Sequence, residues 1–104
     1  MDKAFYQLLS LAYKANKIQF GEKALEAIKN KQSSLVLFTN DISDKSLKRV
    51  LEKCEFYNVK YLEIDDSTFV SKLLNKKIVK LISINDKGFA KSLKEKGGIE
   101  DGKK

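Results

Sequence analysis

One short run of residues constrains the fold of this chain more than any other feature. Ser34 to Thr39 reads Ser-Leu-Val-Leu-Phe-Thr, an almost unbroken apolar segment that predicts a strand buried on both faces. Such a strand needs other elements packed above and below its sheet. The chain has 104 residues, which is enough for one domain and not for two. The run therefore predicts one layered α/β domain.

Helical and extended patterns alternate along the rest of the chain. Apolar residues at helical spacing predict helices over 2–15, 22–30 and 44–57, a short helix starting at Asp66 or Ser67, and a last helix from Asp86 to Gly97. Extended stretches are predicted over 16–20, 59–64 and 78–84. Because the strands need helical cover on both faces, we expect a three-layer α/β/α sandwich over residues 1–96. Residues 97–104 are polar and are predicted to form a flexible tail.

The positive charge is concentrated in two segments of the chain. The formal net charge is +7. Residues 1–33 hold six Lys and three acids, residues 34–71 five basic and seven acidic residues, and residues 72–96 eight Lys and two acids. If the fold brings Lys14, Lys17 and Lys23 near Lys76, Lys77 and Lys80, a continuous cationic face results. Such a face favours a polyanion, nucleic acid before an acidic membrane; the alternative is a Lys-rich surface that serves solubility.

The residue types needed for most catalytic and metal sites are missing. The chain has no His and one Cys, so the commonest general base and a structural zinc site are both excluded. Cys54 lies on an apolar helical stripe and is predicted to be a buried, inert thiol. The acids near Asp41 and Asp65 are interpreted as helix caps or strand ends. We therefore predict a protein that is not an enzyme and that needs no metal or cofactor.

The location is predicted from what the sequence lacks. A single cysteine leaves no internal disulfide to mark an oxidising compartment. No signal peptide and no apolar run of about 20 residues are recognisable. The prediction is a cytoplasmic protein that does not bind membranes.

Several segments together resemble a known family. They are Leu8 to Ala12, Leu35 to Asp41, Lys53 to Tyr61 and Asn85 to Leu93. They resemble the YlxQ-like bacterial RNA-binding proteins, members of the superfamily of archaeal and eukaryotic ribosomal proteins that bind kink-turn RNA. The resemblance implies a three-layer α/β/α fold with a mixed four-stranded sheet, and RNA binding without catalysis.

The resemblance also implies where RNA is held. In the superfamily the contacts come from the turn and first residues of the second helix, here Gly21–Glu26, and from the loop before the last strand, here Asn75–Ile78. Ile78 is interpreted as the first core residue of that strand, the alternative being contact with an extruded base. With the nearby lysines, the candidate RNA-binding residues are Lys14, Lys17, Gly21, Glu22, Lys23, Asn75, Lys76, Lys77, Ile78 and Lys80.

The chain departs from the superfamily in both regions. The superfamily pattern Gly-x-Asn-Glu-x-x-Lys is replaced by Gly-Glu-Lys-Ala-Leu-Glu, which has no Asn and is one residue short. Either Glu26 stands where the Lys belongs, or Glu22 and Lys23 take over the polar roles. Near the fourth helix Val70-Ser71 replaces Leu-Gly, and Asn75 replaces a later Gly.

Two hypotheses about function follow. The first is a non-catalytic protein that recognises structured, kink-turn-like RNA, with rRNA, tRNA or another non-coding RNA as partner and the ribosome or translation factors as further candidates. The alternative is a protein-interaction scaffold of the same fold that has lost specific RNA recognition.

Overall fold

Helices and strands alternate along residues 1–99, the part of the chain that the computed structural model describes. The elements are α1 (Lys3–Lys14), β1 (Ile18–Phe20), α2 (Gly21–Lys29), β2 (Leu35–Thr39), α3 (Asp44–Phe56), β3 (Tyr61–Ile64), α4 (Ser67–Leu74), β4 (Leu81–Ile84) and α5 (Lys87–Lys96). The predicted alternation is confirmed. Strands β3 and β4 begin two and three residues later than the apolar pattern indicated, because pairing with β2 starts only at Tyr61 and Leu81.

The four strands form one mixed sheet in the order β1-β4-β2-β3. Strand β4 is antiparallel to both of its neighbours, whereas β2 and β3 are parallel. Strands β1, β2 and β3 therefore end on the side of the sheet on which β4 begins, which we call the apical end. The opposite side, on which β1, β2 and β3 begin and β4 ends, is the basal end.

Helices cover both faces of this sheet. Leu35, Leu37, Ile82 and Ile84 pack in one core with residues of α1, α4 and α5. Val36, Phe38 and Leu81 pack in a second core with residues of α2 and α3. Residues in β2 thus alternate between two cores, and all five are buried. The prediction of a strand buried on both faces, inside a three-layer sandwich, is confirmed.

Side-chain caps fix where four of the helices begin. Asp2, Ser43, Asp66 and Asp86 each accept a hydrogen bond from the backbone N–H three residues later, at 2.8–3.2 Å. Helix α2 is different, because its N-cap is Phe20 and no side chain caps its first turn. Its first residue, Gly21, has φ +56°, a left-handed conformation that favours glycine. The chain can therefore turn directly from β1 into α2.

The acids and the cysteine that the sequence assigned to structure have structural roles. Asp65 accepts a hydrogen bond from the hydroxyl of Tyr6 at 2.8 Å, which ties α1 to the end of β3. Asp41 accepts one from the hydroxyl of Ser67 at 2.6 Å and thereby fixes the start of α4. Cys54 is fully buried, and burial raises its pKa to about 11, so its thiol stays protonated at neutral pH.

The first residues of the predicted C-terminal tail follow directly on α5. Gly97–Ile99 complete the end of α5, where the N–H of Gly98 bonds the carbonyl of Glu95 at 3.2 Å. The N–H of Ile99 bonds the carbonyl of Lys94 at 2.8 Å. The flexibility of the predicted tail stays a prediction, and its residues 100–104 lie outside the described part. No helix within residues 1–99 is long and apolar enough to cross a membrane.

Candidate nucleic-acid interface

The turn at Gly21 and the loop before β4 meet at the apical end. Strand β1 leads into α2, and the loop 75–80 leads into β4, which pairs with β1 through Phe20 and Ile82. The ammonium of Lys76 lies 4.6 Å from the centroid of the Phe20 ring, a cation–π contact. Two basic segments that are more than 50 residues apart in the chain are therefore neighbours in the fold.

A cavity of about 480 Å³ opens between α2, α3 and this loop. Its lining combines apolar side chains with a few polar and charged groups at the rim. Lining residues are Phe20, Gly21, Glu22, Leu25, Ile42, Ser43, Ser46, Arg49, Val50, Ile78, Val79, Lys80 and Leu81. Because the first turn of α2 has no side-chain cap, its backbone N–H groups also face this end of the molecule. The cavity can therefore offer apolar surface, cationic groups and hydrogen-bond donors to one ligand.

The acidic residue in this cavity is paired. Both carboxylate oxygens of Glu22 contact the guanidinium of Arg49, at 3.2 and 3.4 Å. Both side chains stay more than half exposed, so the pair lies at the rim and is hydrated. Arg49 therefore offsets the charge with which Glu22 would repel a phosphate.

Sequence reasoning missed Arg49. One signal could have indicated it: it is the sole arginine among 21 basic residues. Arginine binds carboxylates and phosphates with a planar fork that lysine cannot reproduce. Its place on α3, however, gives no sign that it faces the start of α2.

Ile78 is not a core residue, so that prediction is wrong. It is 75% exposed at the cavity, whereas the next residue, Val79, is buried. The backbone N–H of Val79 donates to the buried hydroxyl of Ser71 at 2.8 Å, which turns Val79 inward and leaves Ile78 facing solvent. The alternative that the sequence left open, an apolar side chain offered to a ligand, is compatible with this placement.

Asn75 explains how the loop keeps its shape without the glycine of the superfamily. It caps the C-terminus of α4 in the left-handed conformation, with φ 55° and ψ 45°. Asparagine tolerates this conformation better than most residues other than glycine. The following N–H, of Lys76, then bonds the carbonyl of Ser71 at 2.9 Å, so the chain turns back toward the sheet.

The predicted lysines do not form one continuous face. Lys23, Lys76, Lys77 and Lys80 are exposed in the first turn of α2 and in the apical loop, and Lys80 lines the cavity. Lys17 precedes β1 at the basal end, where its carbonyl accepts a hydrogen bond from Asn85 at 2.7 Å.

Lys14 is also apart from the apical cavity, in a groove between α1 and α4. The continuous face is therefore not formed, because the length of β1 separates Lys14 and Lys17 from the cavity. Their part in binding remains a prediction.

Fold and site together define a small α/β/α protein with a basic, partly apolar cavity at one end of a mixed sheet. Residues 3–94 match the "Ribosomal protein L7Ae/L30e/S12e/Gadd45 family", and the chain belongs to this family. The resemblance seen in the sequence is confirmed. A family of ribosomal proteins also agrees with the prediction that the chain is not an enzyme.

Individual relatives cover most of the chain. The RNA-binding protein YlxQ of Bacillus subtilis is 32% identical over 90 residues, which are 86% of this chain and 90% of that protein. YlxQ of Enterococcus faecium is 34% identical over 89 residues, or 85% of each chain.

Solved structures are similar as well. A Bacillus halodurans protein of unknown function superposes with a TM-score of 0.86 at 25% identity, covering 90% of this chain and 96% of its own. The Giardia lamblia 15.5kD RNA binding protein superposes with a TM-score of 0.76 at 16% identity, covering 94% and 91%. The second similarity concerns the fold alone.

Proposed function

We propose that this protein binds structured, kink-turn-like RNA at the apical end, without catalysing a reaction. The observation that carries the proposal is the contact between Lys76 and the Phe20 ring, because it brings the turn at Gly21 and the loop 75–80 into one surface. The names of its YlxQ relatives, which are RNA-binding proteins, support the same partner class.

The chemistry of the apical surface fits folded RNA better than a plain polyanion. Lys23, Lys76, Lys77 and Lys80 are exposed and can contact phosphates, which position a protein without reading sequence. Ile78 and the apolar cavity wall offer a surface to a base that has left the stack, a feature of RNA loops and bulges. An RNA whose backbone bends sharply around an unstacked base would contact the lysines and the apolar wall at the same time.

The partners follow from this chemistry. We propose rRNA, tRNA or another structured non-coding RNA, with the ribosome or translation factors as the wider assembly and the cytoplasm as the location. The "ribosomal protein" description of the family supports that setting.

The test is a titration of a kink-turn RNA and of a plain duplex of equal length, each at two salt concentrations. We expect tighter binding of the kink-turn RNA, and affinity that falls as salt rises because lysines displace counterions.

Changing Lys76 and Lys77 to Glu should weaken kink-turn binding by at least tenfold. The matched control is the double variant Lys3→Glu with Lys48→Glu, which changes the net charge equally at exposed sites outside the cavity. An unchanged Kd in the Lys76 and Lys77 variant would remove the assigned surface.

A second candidate is a scaffold for protein partners. It is favoured by two observations: the motif's Asn is absent, and Glu26 is exposed one turn after Glu22 on α2. It predicts RNA binding no stronger than that of any equally basic protein, and a specific protein recovered by affinity capture.

A further inference from the structure

A row of exposed lysines crosses the basal end of the sheet. Lys17 precedes β1, Lys87 opens α5 after β4, Lys31 lies in the turn before β2, and Lys60 precedes β3. In the sheet order each strand thus brings one lysine to this end. With strands about 4.8 Å apart, the four strand ends span about 14 Å, and each lysine lies within four residues of its strand. We call these four residues the basal lysine row.

Hydrogen bonds at the strand ends fix the row in place. The N–H of Asn85 bonds the carbonyl of Lys17 at 2.7 Å, and the N–H of Val36 bonds the carbonyl of Lys60 at 3.0 Å. Close to Lys31, the N–H of Ser34 bonds the carbonyl of Ile84 at 2.7 Å. Lys17 and Lys60 therefore lie directly at hydrogen-bonded strand ends, and Lys31 and Lys87 lie within four residues of such an end.

In the described part of the chain, ion pairs do not offset the charge of the row. Within residues 1–99 no carboxylate forms an ion pair with any of its four lysines. The acid next to Lys87, Asp86, uses its carboxylate to cap α5 at the N–H of Phe89, 2.8 Å away. Like charges held along one edge repel each other, and a polyanion lying along that edge would relieve this repulsion.

Two members of the row occupy positions that do not favour lysine. The three helix-to-strand turns at the basal end each contain a left-handed residue: Asn16 at φ 62°, Asn58 at φ 59°, and Lys31 at φ 63°. A lysine there suffers a steric penalty that asparagine largely avoids. Lys87 is the first residue of α5, where the helix dipole disfavours a cation. The left-handed backbone at position 31 and the helix dipole at position 87 therefore both disfavour the lysine found there.

An exposed aromatic ring lies at the same end. Phe56, the last residue of α3, is 80% exposed, more than any other large apolar side chain within residues 1–99. The ring packs edge-on against Tyr57, with centroids 4.8 Å apart, so it is held in place while most of its surface stays in solvent. Lysines along a track with an aromatic platform beside them are typical of surfaces that bind single-stranded nucleic acid.

We propose that the basal end is a second RNA-binding surface, which holds a single-stranded segment with phosphates on the lysine row and a base stacked on Phe56. Together with the apical site, the protein would contact two parts of one folded RNA. That joint action rests on the proposed function, whereas single-strand binding at the basal end does not.

The first experiment titrates the full chain with a labelled oligouridine of about 12 nucleotides, long enough for one such site. Changing Lys17, Lys31, Lys60 and Lys87 to Gln should lower its affinity and reduce the salt slope of log K by about 3, since each single-strand phosphate contact contributes about 0.7. The matched control changes four exposed lysines elsewhere to Gln and leaves the same net charge; they are Lys3, Lys45, Lys48 and Lys72. Equal slopes in the two quadruple variants would overturn the proposal.

A second experiment separates stacking from simple apolar contact at Phe56. Phe56→Leu keeps an apolar side chain but loses the ring, and we expect about a tenfold loss of oligouridine affinity. Phe56→Trp keeps an aromatic face and should bind at least as well as the native chain. If Leu and Trp at this position bind equally, Phe56 is not a stacking platform and the proposal fails.

A third experiment changes Lys31, where one substitution is expected to raise the thermal stability and to lower the oligouridine affinity. Lys31→Asn should raise the Tm, because asparagine suits the left-handed turn, and should weaken oligouridine binding. A residue with a merely structural role would not separate the two measurements in this way. Unchanged oligouridine affinity in this variant would contradict its place in the row.

Cross-tests distinguish the two sites. The Lys76 and Lys77 variant should keep oligouridine binding while it loses kink-turn binding. A triple variant that changes Lys31, Lys60 and Lys87 to Gln but retains Lys17 should show the reverse. Loss of oligouridine binding only in the apical variant would overturn the basal surface and leave the proposed function intact. Binding of the basal lysines to phosphatidylserine vesicles but not to oligouridine would overturn it in favour of a membrane.

Discussion

The hydroxyl of Ser71 accepts a hydrogen bond from the backbone N–H of Val79 at 2.8 Å, in the interior of the protein. Both residues are buried, so this bond fixes the far end of the apical loop to α4. It sets the orientation of two adjacent residues that line the apical cavity, Ile78 outward and Val79 inward. Ser71 stands where the superfamily has glycine, which cannot make this bond.

Replacing Ser71 with Ala should therefore affect both folding and binding. The N–H of Val79 would stay buried without a partner, which costs about 1–3 kcal/mol of unfolding free energy. Because the loop would lose its anchor, we also expect weaker kink-turn binding. Urea unfolding and an RNA titration of the same variant measure the two effects. Thr68→Ala, at an exposed position of the same helix, is the control; a similar loss in that variant would show that the bond has no special role.

Arg49 is expected to matter for RNA and little for folding. Its pair with Glu22 is exposed, and such pairs contribute about 0–1 kcal/mol to stability. Arg49→Ala should leave unfolding nearly unchanged but weaken RNA binding by about tenfold, because a cation is lost and Glu22 is left uncompensated beside phosphates. Glu22→Gln in the Arg49→Ala background should recover part of the affinity. If it recovers none, Glu22 does not face the RNA.

Periodicity predicted most of the fold because the elements are decided by local features. The unbroken apolar run at β2 could only be a strand with cover on both sides, and its five residues are all buried. The last two helices begin where the sequence placed them, next to Asp66 and Asp86, since a side-chain oxygen within three residues of its N–H partner is a local relationship.

The site was predicted less completely because it depends on contacts between distant segments. Charge counting found Lys76 and the Gly21 turn, but it could not show that Lys17 lies at the other end of β1. Ile78 was assigned to the core because an apolar residue before a strand continues the pattern, and only the bond from Val79 to Ser71 shows that the pattern starts one residue later. Arg49 reaches Glu22 across 27 positions of sequence, a pairing that no local pattern contains.

Substitutions of Asn75 test why the loop can form without a glycine at this position. Asn75→Gly should leave the unfolding free energy within a few tenths of a kcal/mol, because both residues adopt the left-handed conformation. Asn75→Ala should destabilise by about 1 kcal/mol, because a Cβ without a compensating polar group is disfavoured there. Urea unfolding of the two variants checks the order. If Ala is tolerated as well as Gly, the left-handed turn is not what selects Asn75.

Acid unfolding should report on the bond that joins Asp41 to the start of α4. The hydroxyl of Ser67 donates to the Asp41 carboxylate at 2.6 Å and holds its pKa at about 2, below the ordinary value of 3.8. Because the folded pKa is the lower one, the carboxylate stabilises the fold above pH 4, and this contribution is lost as the pH falls toward 2. Asp41→Asn should therefore be less stable than the native chain at pH 7, with the difference narrowing between pH 4 and pH 2 in thermal unfolding. Glu52→Gln, which removes an exposed carboxylate on α3, should show no such narrowing; the same profile in both variants would mean that the effect is one of net charge and not of this bond.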